Sequence, residues 1–364
     1  MIPISKPFIG KEEIDAVTEV LKSGNIAQGS KTRELEEKFA KFCGTKYSIA
    51  VNSGTAALHT ALKVAGIREN DEVITTPFTF IATANSILMA GAKPVFADIE
   101  EDTFNINPEE IRNKITKKTK AIMTVDLYGQ LCDYDEINKI SEKNNLIVIE
   151  DACQAANAEY KNKKAGSFGD IAAFSFYATK NITCGEGGII TTNNNEFAEN
   201  AKILRQHGRS KMTSYDYVSL GYNYRTTDIQ AAMLLEQLKK VDFITKKRIE
   251  NAMYLNEELS KIKGIKAPII KKGNKHVFHQ YTIKIENDFK LKREELISHL
   301  SKNGVSTGVY YPKPLHLYAH LKKFGYKEGD FPVAEKLSKQ VLSLPVHPFL
   351  TKEDLRLIAG TIKN

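Results

Sequence analysis

Seven short apolar runs rich in β-branched residues mark the first half of the chain. They are YSIAV (47–51), EVITT (72–76), PVFAD (94–98), AIMTVD (121–126), LIVIE (146–150), IAAFSFY (171–177) and GIITT (188–192). Each has the length and composition of a buried strand. Between the earlier runs lie amphipathic windows. Over 54–65, Leu58, Ala61, Leu62 and Ala65 recur at helical spacing, and windows at 79–90, 108–116 and 133–143 lie between later runs. This alternation predicts an α/β protein whose large sheet is mostly parallel and covered by helices on both faces. From about 228 to 262 the pattern turns continuously helical. A strand-like HQYTIKIE (279–286), a helix over 292–303 and mixed segments to the end predict a smaller α+β domain. The expected division is a large domain over 1–245, including an N-terminal segment 1–30, and a small C-terminal domain over 246–364.

Composition narrows the class. The chain has 364 residues, 42% hydrophobic and 26% charged, enough for one large core and a second smaller one. No apolar run reaches membrane-spanning length, and the opening MIPISKPFIGKEE lacks the apolar stretch of a signal peptide. A cytoplasmic protein without a membrane partner is expected. Cys43, Cys132, Cys153 and Cys184 are scattered, which points to neither a disulfide framework nor a zinc site. The net charge of +8 comes from lysines in turn-like pieces such as KKTK (117–120), KNKK (161–164) and KKGNK (271–275). These read first as a solvated surface and second as steering for an anionic small molecule. No nucleic-acid-binding motif accompanies them. The pairs His276/His279 and His316/His320 lack a metalloenzyme pattern, so no metal is expected.

Ligands of open parallel sheets sit beyond the carboxyl ends of the strands, and four ends here carry chemistry. NSGTAAL (52–58) places Ser53 as a helix cap with Gly54 and Thr55 behind it, either a plain cap or a phosphate cradle. TPFTFIATANS (76–86) breaks the strand at Pro77 and starts a helix at Thr79. That sets Phe80 near the helix entrance, as a core ring or as one that stacks on a flat ligand. EDACQAANA (150–158) puts Asp151 directly off a buried strand, as a helix cap or as a desolvated carboxylate awaiting a cation. FSFYATKNITCGEGG (174–188) brings Ser175 and Lys180 to the end of the sixth run, followed by Gly185, Gly187 and Gly188. A lysine held in an apolar place loses its charge and becomes a nucleophile. The GEGG turn comes after the lysine and lacks the spacing of a dinucleotide fingerprint. Together the four ends supply a phosphate site, a stacking ring, a carboxylate and an amine. Pyridoxal phosphate requires those groups.

These pieces, with DLYGQ, GYNYRTTDIQAA, YYPKPLH and LPVHP, closely resemble the DegT/DnrJ/EryC1/StrS family of sugar aminotransferases over nearly the whole chain. The resemblance implies fold type I (aspartate aminotransferase-like) and a homodimer with shared active sites. It also implies pyridoxal 5'-phosphate as cofactor, with L-glutamate and a nucleotide-linked keto-sugar as substrates. Carried over residue by residue, Lys180 holds the cofactor as a Schiff base and then shuttles a proton. Asp151 pairs with the ring nitrogen, Gln154 approaches the ring hydroxyl and Phe80 stacks on the ring. Gly54, Thr55 and Ser175 bind the phosphate, and Asn223 reaches it from the neighbouring subunit. Tyr224 and Arg225 face the substrate, and Tyr310, Tyr311 and His316 contact the nucleotide-sugar. Two positions depart from the family pattern, Ala178 where proline is frequent and Tyr310-Tyr311-Pro312 where His-Tyr-Pro is frequent. Lys180 argues against the branch that carries histidine there and removes a hydroxyl. The opening segment and SGTAALH resemble members that aminate C4 of a 4-keto-6-deoxy sugar. C3 amination or a keto-cyclitol is the alternative within the family. A non-catalytic cofactor-binding regulator is the alternative from another class, although the chain leaves no room for an added DNA-binding domain before residue 30 or after the small domain.

Overall fold

The computed structural model describes residues 1–210 and 215–363. Two helices open the chain, α1 (Lys11–Ser23) and α2 (Ser30–Cys43). Alternating elements come next: β1 (Tyr47–Val51), α3 (Gly54–Val64), β2 (Glu72–Thr75), α4 (Ala82–Met89), β3 (Lys93–Phe96), α5 (Pro108–Lys114), β4 (Thr119–Val125), α6 (Tyr134–Asn144), β5 (Ile147–Asp151), β6 (Ile171–Ser175), β7 (Gly188–Thr192) and α7 (Asn195–Arg205). These strands form one sheet in the order β1-β7-β6-β5-β4-β2-β3. Five of them, β3, β2, β4, β5 and β6, pair in parallel. β7 runs antiparallel to both β6 and β1. The result is a mixed, mostly parallel sheet of the fold type I kind.

Strand residues alternate between two cores, as the pleat requires. Val148, Ala172, Phe174 and Ile189 face the core built with α2, α6 and the first half of α8 (Asp228–Leu259). Ile149, Ile171, Ala173 and Ile190 face the core built with α3 and α7. Phe39 of α2 packs edge-on against Phe174 and Phe176 at 5.0 and 5.5 Å. Each such fully buried ring contributes about 1.5–3 kcal/mol by leaving water.

α8 is 32 residues long and contributes to two cores. Ala231, Leu234, Leu235, Val241 and Ile244 belong to the large core. Ala252, Leu255 and Leu259 belong to the second. That second core lies under an antiparallel sheet of β8 (Ile265–Lys266), β9 (Tyr281–Ile285) and β10 (Val341–Leu344). It is covered by α9 (Arg293–Lys302) and, beyond α10 (Ala319–Lys322) and α11 (Pro332–Gln340), by α12 (Lys352–Lys363). The start of the chain packs against a distant segment. Ile2 bridges Val305 and joins the second core. A contact between distant segments decides this, and no local pattern in MIPISKPF announces it.

Candidate functional site

Strand pairing draws the four predicted ends together. Gly188 stands opposite Val51 on one side and opposite Ser175 on the other. A Cβ on Gly188 would lie 2.2 Å from the carbonyl oxygen of Ser53, so only glycine lets the three segments close up. Ser53 caps α3 through its side chain, which accepts the Ala56 N–H at 3.1 Å. Gly54 and Thr55 are the first two residues of α3, whose opening N–H groups have no partner within the helix. A Cβ on Gly54 would lie 2.7 Å from the Ser175 Cβ and 3.1 Å from its Oγ. The start of α3 and the end of β6 therefore form one small concave surface with amide and hydroxyl donors.

Asp151 ends β5 and points to the same side. It is buried, but each oxygen has a donor. Oδ2 accepts the Thr83 hydroxyl at 2.9 Å and Oδ1 accepts the Cys153 N–H at 3.2 Å. Turns come after it and no helix does, which excludes the cap reading. Burial raises its pKa from the ordinary carboxylate value, while the two donors and the nearby Lys180 oppose the rise. Lys180 is half-buried on a turn whose amide donates to the Tyr177 carbonyl at 2.9 Å. No side-chain hydrogen bond engages its Nζ among the described residues. Burial lowers its pKa from the usual ammonium range, against the pull of Cys153 and Asp151. An amine with a depressed pKa and no hydrogen-bond partner is poised to react.

The predicted helix start at Thr79 is displaced. α4 begins at Ala82, because residues 77–81 form a turn after Pro77. Thr79 is instead used sideways. Its hydroxyl meets that of Thr83 at 3.1 Å, which extends the chain of hydroxyls leading to Asp151. The turn leaves the Phe80 ring 56% exposed, far more than a core aromatic. Gln154 stands three residues beyond Asp151. Its Oε1 accepts the Tyr128 N–H at 2.9 Å and its Nε2 donates to the Tyr311 hydroxyl at 3.3 Å.

The remaining predicted residues divide. Tyr311 joins the group, with its ring 6.4 Å from that of Phe80, and Tyr310 is beside it. His316 stands apart. It is fully buried and its Nε2 lies 3.0 Å from Glu335, so it anchors its segment to α11 and presents nothing to a crevice of this chain. Tyr224 stacks on Tyr222 at 4.9 Å, and its hydroxyl lies 3.0 Å from His59 Nδ1 on α3. That hydroxyl is occupied within the fold. Asn223 is exposed, with only its carbonyl held by Asn52 at 3.2 Å, and Arg225 is half-buried. Asp228, in the same GYNYRTTD stretch, accepts the N–H groups of Gly29, Lys31 and Thr32 and so caps α2 from a distance. Sequence reasoning missed Thr83 and Tyr128. A hydroxyl one helical turn from Thr79 was the available signal for the first, and the LYG turn in DLYGQ for the second.

A family model described as the DegT/DnrJ/EryC1/StrS aminotransferase family matches residues 7–363. The chain belongs to that family. It is similar to the spore coat polysaccharide biosynthesis protein SpsC of Bacillus subtilis (strain 168), at 42% identity over 100% of this chain and 96% of the relative. It is similar to the GDP-perosamine synthase of Caulobacter vibrioides, at 39% identity over 99% of this chain and 97% of that protein. Among solved structures, the PLP-form of the putative sugar aminotransferase Spr1654 from Streptococcus pneumoniae superimposes with a TM-score of 0.95 at 32% identity. That match covers 100% of this chain and 97% of the other. DegT/DnrJ/EryC1/StrS proteins of this kind are pyridoxal-phosphate-dependent sugar aminotransferases, and the chain is an enzyme of that class. No helix among the described residues is long and apolar enough to cross a membrane.

Proposed function

We propose that this enzyme moves an amino group from L-glutamate to a nucleotide-activated keto-sugar, with pyridoxal phosphate held in the crevice. The observation that carries the reading is the nearness of Lys180, whose amine has no hydrogen bond among the described residues, to the donor-supplied carboxylate of Asp151, with the Gly54–Ser175 cradle alongside. The residues fit the cofactor. The cradle is concave and rich in donors at a helix N-terminus, where a phosphate is favoured. Phe80 offers an exposed ring to a flat ligand. When bound, the cofactor supplies an electron sink for the carbon that loses a proton.

The chain's own residues do the rest. Lys180 would hold the cofactor through its Nζ, and its amine, whose pKa burial lowers, would take and return the proton. Asp151 is kept in place by Thr83 and Cys153. Burial raises its pKa, and a cationic ring nitrogen held beside it would favour the carboxylate. Gln154 is the amide available to the ring oxygen. Gly54, Thr55 and Ser175 take the phosphate. In a homodimer, Asn223 of a second copy completes that site, and its exposed side chain is free to do so. Tyr224 and Arg225 stay close to it in the chain, and Tyr310 lies at the sugar side. The first choice of reaction is amination at C4 of a 4-keto-6-deoxy sugar, with C3 amination of a 3-keto sugar as the alternative.

The visible spectrum tests this. Wild-type protein mixed with pyridoxal phosphate should turn yellow and bleach on adding glutamate, while Lys180→Ala should show no such turnover. Persistent turnover in Lys180→Ala would remove Lys180 from its role. A panel of nucleotide keto-sugars then reads the carbon. Product from a 3-keto substrate alone would sink the C4 choice.

A further inference from the structure

Tyr311 is placed by the family resemblance against the nucleotide-sugar, but its hydroxyl is engaged elsewhere. It receives the Gln154 Nε2 at 3.3 Å. The direction of that amide is forced. Its oxygen must face the backbone N–H of Tyr128, 2.9 Å away, so its two N–H groups point towards Tyr311 and the crevice. Tyr128 can offer its amide in this way because it adopts a left-handed conformation, φ +58°, at the LYG turn. At its other end the Tyr128 hydroxyl donates to the carbonyl of Tyr310. Gln154, Tyr128, Tyr310 and Tyr311 thus form a closed loop of contacts between the large domain and the segment 310–316. Packing supports it. The Tyr311 ring meets Phe78 edge-on at 6.2 Å and lies tilted over Phe80 at 6.4 Å. Burial, with Asp151 nearby, raises the pKa of its hydroxyl above the ordinary tyrosine value and keeps it protonated.

We infer that Tyr311 is a positioning residue for the cofactor: its hydroxyl orients the Gln154 amide, so that the small domain controls the donor presented to the cofactor ring. The inference rests on the reading of the crevice given above. One Gln154 N–H is spent on Tyr311 and the other is left for the ring oxygen. Without Tyr311's oxygen, the amide is held at one end only and its second donor is no longer aimed.

The test is a double-mutant cycle on the full-length protein with pyridoxal phosphate as probe. Two quantities are read, the cofactor dissociation constant and the pH midpoint of the cofactor's visible band. Tyr311→Phe keeps the ring that packs on Phe78 and Phe80 and removes only the hydroxyl. It should weaken cofactor binding about 3- to 10-fold, the value of one hydrogen bond, and should move the band's midpoint. In a Gln154→Ala background the same change should do neither, because effects acting through one group are not additive. An equal loss in both backgrounds, or no change in the wild-type background, overturns the inference. A wild-type protein that binds no cofactor overturns the reading of the crevice as well, and is recognised because all four proteins then behave alike.

Discussion

Glu150 and Asp151 are neighbours on β5, both carboxylates and both buried, yet they face opposite sides of the sheet. Glu150 faces the α2 side. There the backbone N–H groups of Gly166, Phe168 and Gly169 close on it at 2.5, 3.1 and 3.4 Å. It is enclosed on all sides and has no opening for a ligand. Asp151 faces the α3–α4 side, held by one hydroxyl and one N–H, with Lys180 close enough to affect its charge. The same chemistry, one residue apart, locks a loop on one face and stands beside Lys180 on the other. What separates the two carboxylates is which donors approach, not how deeply each is buried.

The largest expected effect contrasts the two directly. Asp151→Asn should slow the bleaching by glutamate by about 10²–10⁴-fold, the range of a lost acid–base or electrostatic partner. Glu150→Gln should stay within about tenfold, since Glu150 acts only by holding the 166–169 loop. Equal losses in a stopped-flow comparison would break the distinction.

Next comes pH. Burial holds the pKa of Glu150 up at about 7 against an ordinary value of 4.5, and Asp126, buried beside it, is raised as well by burial and by Glu150. The folded chain thus binds this proton more tightly than the unfolded chain does. The associated stability is full below about 4.5 and is lost as pH rises through about 7. Its size is on the order of 3 kcal/mol. Thermal unfolding across this window should show a slope in wild type that flattens in Glu150→Gln. An unchanged slope would assign it to other groups.

The smallest effect sharpens the crevice side. Gly54→Ala adds a Cβ that must displace Ser175, whose Cβ would lie 2.7 Å away. Cofactor affinity should fall by about tenfold, in keeping with modest overpacking. The pH slope assigned to Glu150 should not change. Titration of the visible band together with melting curves would show whether the two faces are independent.

Much of this site was legible in order along the chain. Buried parallel strands read as short apolar runs, and a ligand sits against the residues just beyond each run. That logic singled out Gly54, Asp151, Ser175 and Lys180, which the structure gathers beyond the ends of neighbouring strands. The opening helices are harder to read, because α1 buries little more than Glu13 and Val20 and is largely polar. The turn at 77–81 carries residues that suit a helix, and hydrogen bonding through Thr76 and Thr79 decides otherwise.

The sequence by itself determined the strands and the family, because those depend on local period and on the residue types at strand ends. Only the tertiary structure decided the direction of β7, the place of Ile2 in the second core, the burial of His316 and the contact of Tyr311 with Gln154. Each of these joins segments far apart in the chain. An apolar run such as GIITT carries no record of its direction, and a tyrosine carries no record of its partner. Both are set when the cores close and every buried donor must find an acceptor.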